Sequence, residues 1–246
     1  MRTGTAIRTD MCMPTDGMRS EPPGSSLAQL RLMQLISPAL PIGGFTYSQG
    51  LEYAVEAAWV RDLPSLQEWL QGLIEDSVAC LEIPVLARLY HACVSRDVDA
   101  IDRWGRFLLA SRETRELRLE EQQRARALTR LLTDLDIPEA RHWQSSLHCC
   151  QAAPYALAVV NWGIPLGDAA LGYAWSWLEN MVAAAIKLVP LGQTDGQRVQ
   201  LALAESLPRA VQRGLALEDD QIGASAPAMA LASSLHETQY TRLFRS

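Results

Sequence analysis

Apolar residues recur every three or four positions along nearly the whole chain from Leu27 onward, which is the spacing of one face of an α-helix. Breaks at prolines and glycines divide this pattern into separate predicted helices. They lie at roughly 27–37, 49–59, 64–81, 84–94, 98–110, 113–135, 145–160, 168–189 and 195–216, the last being a helix pair or one helix kinked at Pro208. Alternating runs of β-branched residues, which are typical of strands, are missing. The pattern predicts an all-α protein, a single-domain helical bundle of roughly eight to ten helices.

The predicted helix at 113–135 is the most polar one. Its second half carries an apolar stripe of leucines at 128, 131, 132 and 135. Its first half alternates arginine and glutamate, and Glu120 and Arg124 have the one-turn spacing that supports an ion pair. We therefore expect this first half, together with the neighbouring Arg112, to form a solvated face.

The two ends of the chain differ in composition from its middle. Residues 1–26 are rich in proline, glycine and serine, which indicates a disordered leader, and the predicted helical domain covers residues 27–222. Small residues at 223–228 are typical of a tether. Beyond them, Tyr240, Leu243 and Phe244 have helical spacing, so residues 223–246 are predicted to be a tethered, partner-docking segment. A tail that folds back on its own core fits this spacing equally well.

Composition narrows the class of protein. Apolar residues make up 48% of the chain and charged residues 20%, the balance of a folded soluble protein. The net charge of −6 argues against nucleic acid as a partner, because phosphates require a basic face. Five cysteines without a disulfide-like spacing are typical of a reducing cytoplasm. Charges interrupt the most apolar window, 166–191, and no secretory signal is visible, so we expect a cytoplasmic protein without a membrane segment.

Sequence motifs of enzymes are missing: there is no phosphate-binding G-x-x-x-x-G-K-[ST] loop, no H-E-x-x-H and no G-x-S-x-G. The best metal candidates are His142, His148, Cys149 and Cys150, which lie close in sequence. Adjacent residues on a helix point about 100° apart, so Cys149 and Cys150 do not readily share one ion. Buried thiols are the simpler interpretation. We expect neither an enzyme nor a bound cofactor; the alternative is a small metal-binding or hydrolytic protein using His142, His148 and Cys149.

The chain holds 21 arginines and one lysine, Lys187. A single ammonium beside apolar residues indicates a place where a compact charge is required in preference to a planar guanidinium. A strong arginine bias that leaves one lysine by chance, with its stem packed on apolar surface, explains the same composition. Composition alone leaves both interpretations open.

A run rich in proline and glycine separates the first two predicted helices, at residues 37–52. Its prolines remove backbone donors, and Gly43 and Gly44 allow backbone angles closed to other residues. This segment therefore belongs to neither a helix nor a strand interior, yet it is unusually apolar for a connector. Such a loop indicates a shaped surface or a packed corner. Phe45 and Tyr47 are interface anchors in the first case and core residues in the second.

The run S-P-A-L-P-I-G-G-F-T-Y-S-Q-G-L-E at 37–52 resembles the opening motif of the urease accessory protein UreF family. Two further stretches are similar to that family. One is K-L-V-P-L-G-Q at 187–193, continuing to Arg198, and the other is S-L-H-E-T-Q-Y-T-R-L-F-R-S at 234–246. Three motifs in order extend the resemblance over residues 27–246.

This resemblance implies an all-α, cytoplasmic homodimer that takes part in nickel insertion into urease. It also implies binding to a second accessory protein of the UreD/UreH type, recruitment and modulation of a UreG-type GTPase, and assembly with apo-urease. Neither nickel nor GTP would be the chain's own cofactor. Matched motif by motif, contacts to the UreD/UreH-type protein fall at Glu237, Tyr240, Arg242, Leu243 and Phe244. Contacts to the GTPase fall at Gly44, Phe45, Tyr47 and Lys187.

Overall fold

The computed structural model describes Met1, residues 26–223 and residues 226–246. The predicted leader at 1–26 lies, apart from its first and last residues, outside this described part. The described residues form helices and no strand, which confirms the all-α prediction. They surround one hydrophobic core that draws on nearly every helix.

The helices are shorter and more numerous than the periodicity alone indicates. The first half of the chain contains α1 (Ser26–Ile36), α2 (Leu51–Glu56), α3 (Leu63–Leu73), α4 (Ile83–Ser95), α5 (Val98–Ala110) and α6 (Arg115–Asp134). The second half contains α7 (Pro138–His142), α8 (Gln144–Leu147), α9 (Ala152–Asn161), α10 (Leu166–Leu188), α11 (Gln193–Ala204), α12 (Leu207–Leu215) and α13 (Pro227–His236). The predicted pair at 195–216 corresponds to α11 and α12, and Pro208 lies in the first turn of α12, where a proline is tolerated.

A continuous helix runs from Leu63 to Ser95, because α3 and α4 are joined by a π-helical stretch at Ile74–Glu82. The sequence pattern predicted a break at Pro84, since proline removes a backbone donor and crowds the preceding turn. The wider turns of the π-helical stretch end just before Pro84, and the chain continues in the same direction. This helix is long and apolar enough to span a bilayer, but 72% of its most apolar window is buried inside the protein, as in a core helix.

The core is organised around α4 and α10. The first of these packs against α5 and α9, and α10, the longest single α-helix among the described residues, packs against α1, α11 and α12. The largest fully buried side chains are aliphatic and come mainly from the Leu63–Ser95 helix, α5 and α6, for example Leu86, Leu89, Ile101, Leu108, Leu128 and Leu132. Two residues of the leucine stripe predicted for α6, Leu128 and Leu132, are therefore fully buried in the core.

Arg112, Glu120 and Glu121 are buried, and the predicted solvated face is wrong for them. The Arg112 guanidinium, 5% exposed, donates to Glu82 Oε1 at 2.7 Å and to Glu121 Oε1 at 2.6 Å. Glu120 and Arg124 form the predicted pair at 2.9 Å, also in the interior. Burial of these charges is possible because each meets an opposite charge at hydrogen-bond distance.

Ion pairing and burial act in opposite directions on these groups. Burial alone lowers the pKa of Arg112, but the carboxylates of Glu82 and Glu121 outweigh it and hold that pKa well above its ordinary value. Burial alone raises the pKa of Glu121, and Arg112 again outweighs it, so the pKa of Glu121 is lowered. For Glu120, burial dominates and its pKa is raised despite the neighbouring Arg124.

Candidate partner-binding site

Residues 37–50, called the loop below, carry the chain from α1 to α2. Gly43 has a φ of +75°, which favours glycine, and a Cβ on the buried Gly44 would lie 3.2 Å from Asn180 Nδ2 of α10. Tyr47 is buried and donates its hydroxyl to Gln123 Oε1 of α6 at 2.7 Å. The Phe45 ring, by contrast, is 60% exposed. The loop is thus a packed corner that presents one aromatic ring to the surface.

The end of the loop lies directly against α13. Gly50 has a φ of +81°, and a Cβ at this position would lie only 2.7 Å from the backbone nitrogen of Ser233. Ser233 Oγ and Thr114 Oγ1 are 2.8 Å apart, and Thr114 caps the start of α6. Glycine at position 50 therefore allows α13 to approach both the loop and α6.

Residues 237–246, called the tail below, follow α13 and lie across the loop. The Arg245 N–H donates to Thr46 O at 2.9 Å, and the Ser48 N–H donates to Ser246 O at 2.8 Å. Ser246 Oγ donates to Glu120 Oε2 of α6 at 3.0 Å. These hydrogen bonds place the tail on the core of its own chain, and α13 begins at Pro227, within the stretch predicted to be a tether.

The carboxylate of Glu52 holds the tail in this position. Its Oε1 accepts the Leu243 N–H at 2.6 Å, and its Oε2 accepts the Phe244 N–H at 2.9 Å. His236 is fully buried, with Nε2 3.1 Å from Glu52 Oε2 and Nδ1 2.6 Å from Glu116 Oε2. One buried carboxylate therefore joins α2, the end of α13 and the tail.

A second contact secures the middle of the tail to α6. Arg242 Nη1 donates to Glu116 Oε1 at 2.6 Å, so the Glu116 carboxylate bridges Arg242 and His236. The Glu237 carboxylate accepts the backbone N–H of Glu116 at 3.1 Å. An acidic side chain near the first turn of a helix is favourable, because it satisfies a free backbone donor and the helix dipole.

Lys187, at the end of α10, lies between two aromatic rings. Its Nζ is 6.0 Å from the centroid of Phe45 and 5.6 Å from the centroid of Phe244. Such distances allow cation–π attraction, which is modest at an exposed position. Phe45 belongs to the loop and Phe244 to the tail, so the only lysine of the sequence lies where the three motifs singled out by the sequence meet.

The structure divides the residues assigned from the resemblance into exposed and buried groups. On the tail, Glu237, Tyr240, Arg242 and Leu243 are exposed, whereas Phe244 is 5% exposed and packs inward. On the loop side, Phe45 and Lys187 are exposed, whereas Gly44 and Tyr47 are buried. The exposed residues form the surface of the site, and the buried ones pack beneath that surface.

Sequence reasoning missed the three residues that hold the tail: Glu52, Glu116 and His236. Glu52 is part of the run at 37–52, but nothing in its spacing marks it as different from the apolar residues around it. His236 is followed by a glutamate, but a second histidine one turn later is missing, so no zinc-binding motif marks it. Helical periodicity carries no signal for contacts between such distant parts of a chain.

The residues of the alternative metal site do not form a ligand set. Among the described residues, no group of three histidine, cysteine, aspartate or glutamate side chains has a geometry suited to a metal ion. Cys149 is buried with Sγ 3.9 Å from Asp102 Oδ1, and Cys150 is fully buried. Burial raises the pKa of both thiols, which disfavours the thiolate form that binds metals.

Comparison with known proteins identifies the family. The sequence profile of the UreF family matches residues 60–204. The chain is 56% identical over 222 residues to the urease accessory protein UreF of Pseudomonas putida strain W619, covering 90% of this chain and 99% of that protein. It is 56% identical over 220 residues to that of Alkalilimnicola ehrlichii, covering 89% and 96%. It is 49% identical over 217 residues to that of Teredinibacter turnerae, covering 88% and 98%.

The chain belongs to the UreF family. This confirms the resemblance drawn from the three motifs. As a UreF protein it is a urease accessory protein and not an enzyme. The aligned length includes nearly the whole of each of these three relatives.

Proposed function

We propose that this UreF protein links two partners in the cytoplasm during maturation of the urease nickel centre. The tail binds an accessory protein of the UreD/UreH type, and the surface at Phe45 and Lys187 recruits and modulates a UreG-type GTPase. Apo-urease joins the larger complex. The observation that carries the proposal is the position of Lys187, whose ammonium lies between the loop ring of Phe45 and the tail ring of Phe244.

The exposed side of the tail has the character of a protein interface. Tyr240 is fully exposed and Leu243 is 65% exposed, although both are bulky and apolar. Large apolar side chains are unfavourable in water, and aromatic anchors of this kind often carry much of the binding energy at an interface. Arg242 adds a charge at the rim while its guanidinium is held by Glu116. This surface fits the UreD/UreH-type partner implied by the family motifs.

The two proposed surfaces are coupled because they share the tail. If the tail leaves the core, Phe244 leaves Lys187, and the backbone bond from Arg245 to Thr46 breaks. A partner that binds the tail in its docked position therefore also stabilises the loop and the environment of Lys187. Two binding events that favour the same conformation strengthen each other by the same factor. Binding of the first partner would thus prepare the GTPase surface.

The homodimer is supported by an exposed apolar face on α1. Leu30 and Met33 are 61% and 63% exposed, and Met33 lines a groove of about 720 Å³ between α1, α10 and α12. Leu171 of α10 lies in the same groove and is also exposed. A contiguous apolar patch of this kind is unusual on a monomer and fits burial against another subunit. A symmetric dimer would present two copies of the Lys187 surface to two GTPase molecules.

Tyr240→Ala combined with Leu243→Ala is expected to weaken capture of the UreD/UreH-type partner at least about tenfold. Both side chains are exposed, so the melting temperature of the free protein is expected to change little. Binding is measured by titration calorimetry with the purified partner. Leu201→Ala is the matched control, since Leu201 is 74% exposed on α11 and outside the proposed surfaces. Equal affinities for the double variant and the control would contradict the tail as a docking surface.

Lys187→Ala is expected to preserve binding of the UreD/UreH-type partner but to change urease activation and its dependence on GTP hydrolysis severalfold. The residue is exposed and its contacts are cation–π interactions worth about 0.5–1 kcal/mol at such a site, so folding is expected to be retained. Activation is followed by nickel content and urease activity with purified components. Lys187→Arg keeps the charge and tests whether its compact shape matters. Unchanged activation kinetics in Lys187→Ala would show that the residue serves packing only.

A further inference from the structure

An aromatic groove with an acidic rim lies beside α3, outside the tail and the Lys187 surface. It has a volume of about 370 Å³ and is lined by Trp59, Trp69, Glu68, Asp76 and Gly72, with the start of α13 on its other side. Trp59 is 40% exposed. The rings of Trp59 and Trp69 are 6.5 Å apart, and Tyr53 packs edge-on against Trp59 at 5.7 Å. The indole of Trp59 is therefore held in a fixed orientation.

The charges around this groove have one sign. Glu68, Gly72 and Asp76 follow one another at intervals of four residues, so they lie along one helix face with a carboxylate on each side of the glycine. Both acidic residues are exposed, and neither forms an ion pair with any described residue. No lysine or arginine lines the groove within the described part of the chain. Its surface is complementary to a cation.

Gly72 is a separate indication that something occupies the groove. A glycine inside a helix is less favourable than alanine, because its backbone loses more conformational freedom on folding. Here no special backbone angle and no close neighbour requires it, because a Cβ at position 72 would meet no atom within 4 Å. A side chain at this position would instead extend into the groove between the two carboxylates. The glycine keeps that space open.

We propose that this groove binds an arginine-bearing segment of a partner protein. The planar guanidinium stacks on the Trp59 indole and donates to Glu68 or Asp76, an arrangement that the compact ammonium of lysine cannot reproduce. The two carboxylates lie about two helical turns apart, which is too far for one metal ion to be shared but is suited to an extended chain with basic side chains. The surface shares no residue with the tail, so it provides an additional contact within an assembly.

The test titrates the full-length protein with the peptide acetyl-(Gly-Arg)₄-amide and follows the indole N–H resonances of ¹⁵N-labelled tryptophan. Trp59→Phe and Trp69→Phe assign the two signals. We expect the arginine peptide to shift them and to bind at least about tenfold more tightly than the same peptide with citrulline, which has the shape of arginine without its charge. The lysine peptide is expected to be intermediate.

Two variants test the groove itself. Gly72→Leu fills the open space and is expected to abolish the shift, while the melting temperature stays the same or rises because leucine is a better helix former. Glu68→Gln combined with Asp76→Asn is expected to weaken binding of the peptide at least about fivefold. Added salt is expected to weaken binding further, because it screens exposed charges. Equal binding of the arginine and citrulline peptides, unchanged binding in Gly72→Leu, or a response to phosphatidylcholine vesicles alone would overturn the proposal.

Discussion

Glu52→Gln is expected to lower the free energy of unfolding by about 3 kcal/mol and to release the tail from the loop. Hydrogen bonds to a charged group contribute about 1.5–3 kcal/mol each, and the Glu52 carboxylate accepts two backbone bonds and faces His236. Glutamine has one oxygen, and its amide N–H groups would face the N–H of Leu243 or Phe244. At least one buried donor is then left without an acceptor.

The measurement combines denaturant unfolding with amide hydrogen exchange. For a chain of this size, about 3 kcal/mol corresponds to a fall in melting temperature of about 6–12 °C. The amides of Leu243 and Phe244 are expected to exchange much faster in the variant than in the parent protein, since both are held by Glu52. Capture of the UreD/UreH-type partner is expected to weaken as well, because the partner must then order the tail.

A matched Glu→Gln control separates this effect from a general change of charge. Glu205→Gln removes the same charge at an exposed position between α11 and α12 and is expected to change stability by less than about 0.5 kcal/mol. If Glu52→Gln destabilises the protein while the exchange of Leu243 and Phe244 stays slow, Glu52 supports the core without holding the tail.

The helical framework was predictable because most helices bury a single stripe of side chains, and burying a stripe imposes the helical repeat on the sequence. The exceptions have local physical causes. The proline at position 84 predicts a helix break, but the π-helical stretch before it accommodates this residue. The short helix α7 was missed because five residues are too few to establish a repeat.

The charged half of α6 shows a limit of periodicity. An alternation of arginine and glutamate is the same whether the face is solvated or buried against opposite charges. Whether such a face is buried depends on the charged groups that it packs against. These groups are distant in sequence, since Glu82 and Arg112 are 30 residues apart. The same holds for the candidate site, where Glu52 and Phe244 are separated by 192 residues. Motifs indicated that the loop, the end of α10 and the tail matter, but only the fold brings them together.

Arg112→Met is expected to lower the free energy of unfolding by about 3–5 kcal/mol at neutral pH. The substitution removes the guanidinium that donates to both Glu82 and Glu121, which are only 3% and 7% exposed. Uncompensated buried charge is among the most destabilising changes a core can undergo, whereas the apolar volume of methionine is easily accommodated. Replacing Glu82 and Glu121 by glutamine in the same variant is expected to recover part of the loss.

The loss in free energy of unfolding caused by Arg112→Met is expected to depend on pH. In the parent protein Arg112 lowers the pKa of Glu121, so this group stabilises the fold above its ordinary pKa of 4.5, and that contribution is lost as pH falls through the lowered value. Without the guanidinium, only the Gln151 backbone N–H and Arg124 oppose the effect of burial, so the pKa of Glu121 rises relative to the parent protein and its protonation costs the folded variant less. The difference between the two proteins should therefore shrink as pH is lowered from neutral through about 4.5.

Arg106→Met is the control for Arg112→Met, since Arg106 pairs with Asp102 at 2.6 Å but its side chain is 69% exposed. Its expected effect is small, because an exposed ion pair contributes little to stability. Equal effects of the two substitutions would show that the buried cluster of Arg112, Glu82 and Glu121 stabilises the fold no more than an exposed ion pair does. If Arg112→Met behaves as expected, the cluster fixes α6 against the π-helical stretch that ends at Glu82. Because α6 carries Glu116 and Glu120, which contact His236, Arg242 and Ser246, it then also sets the position of the tail and of the surface proposed for the partners.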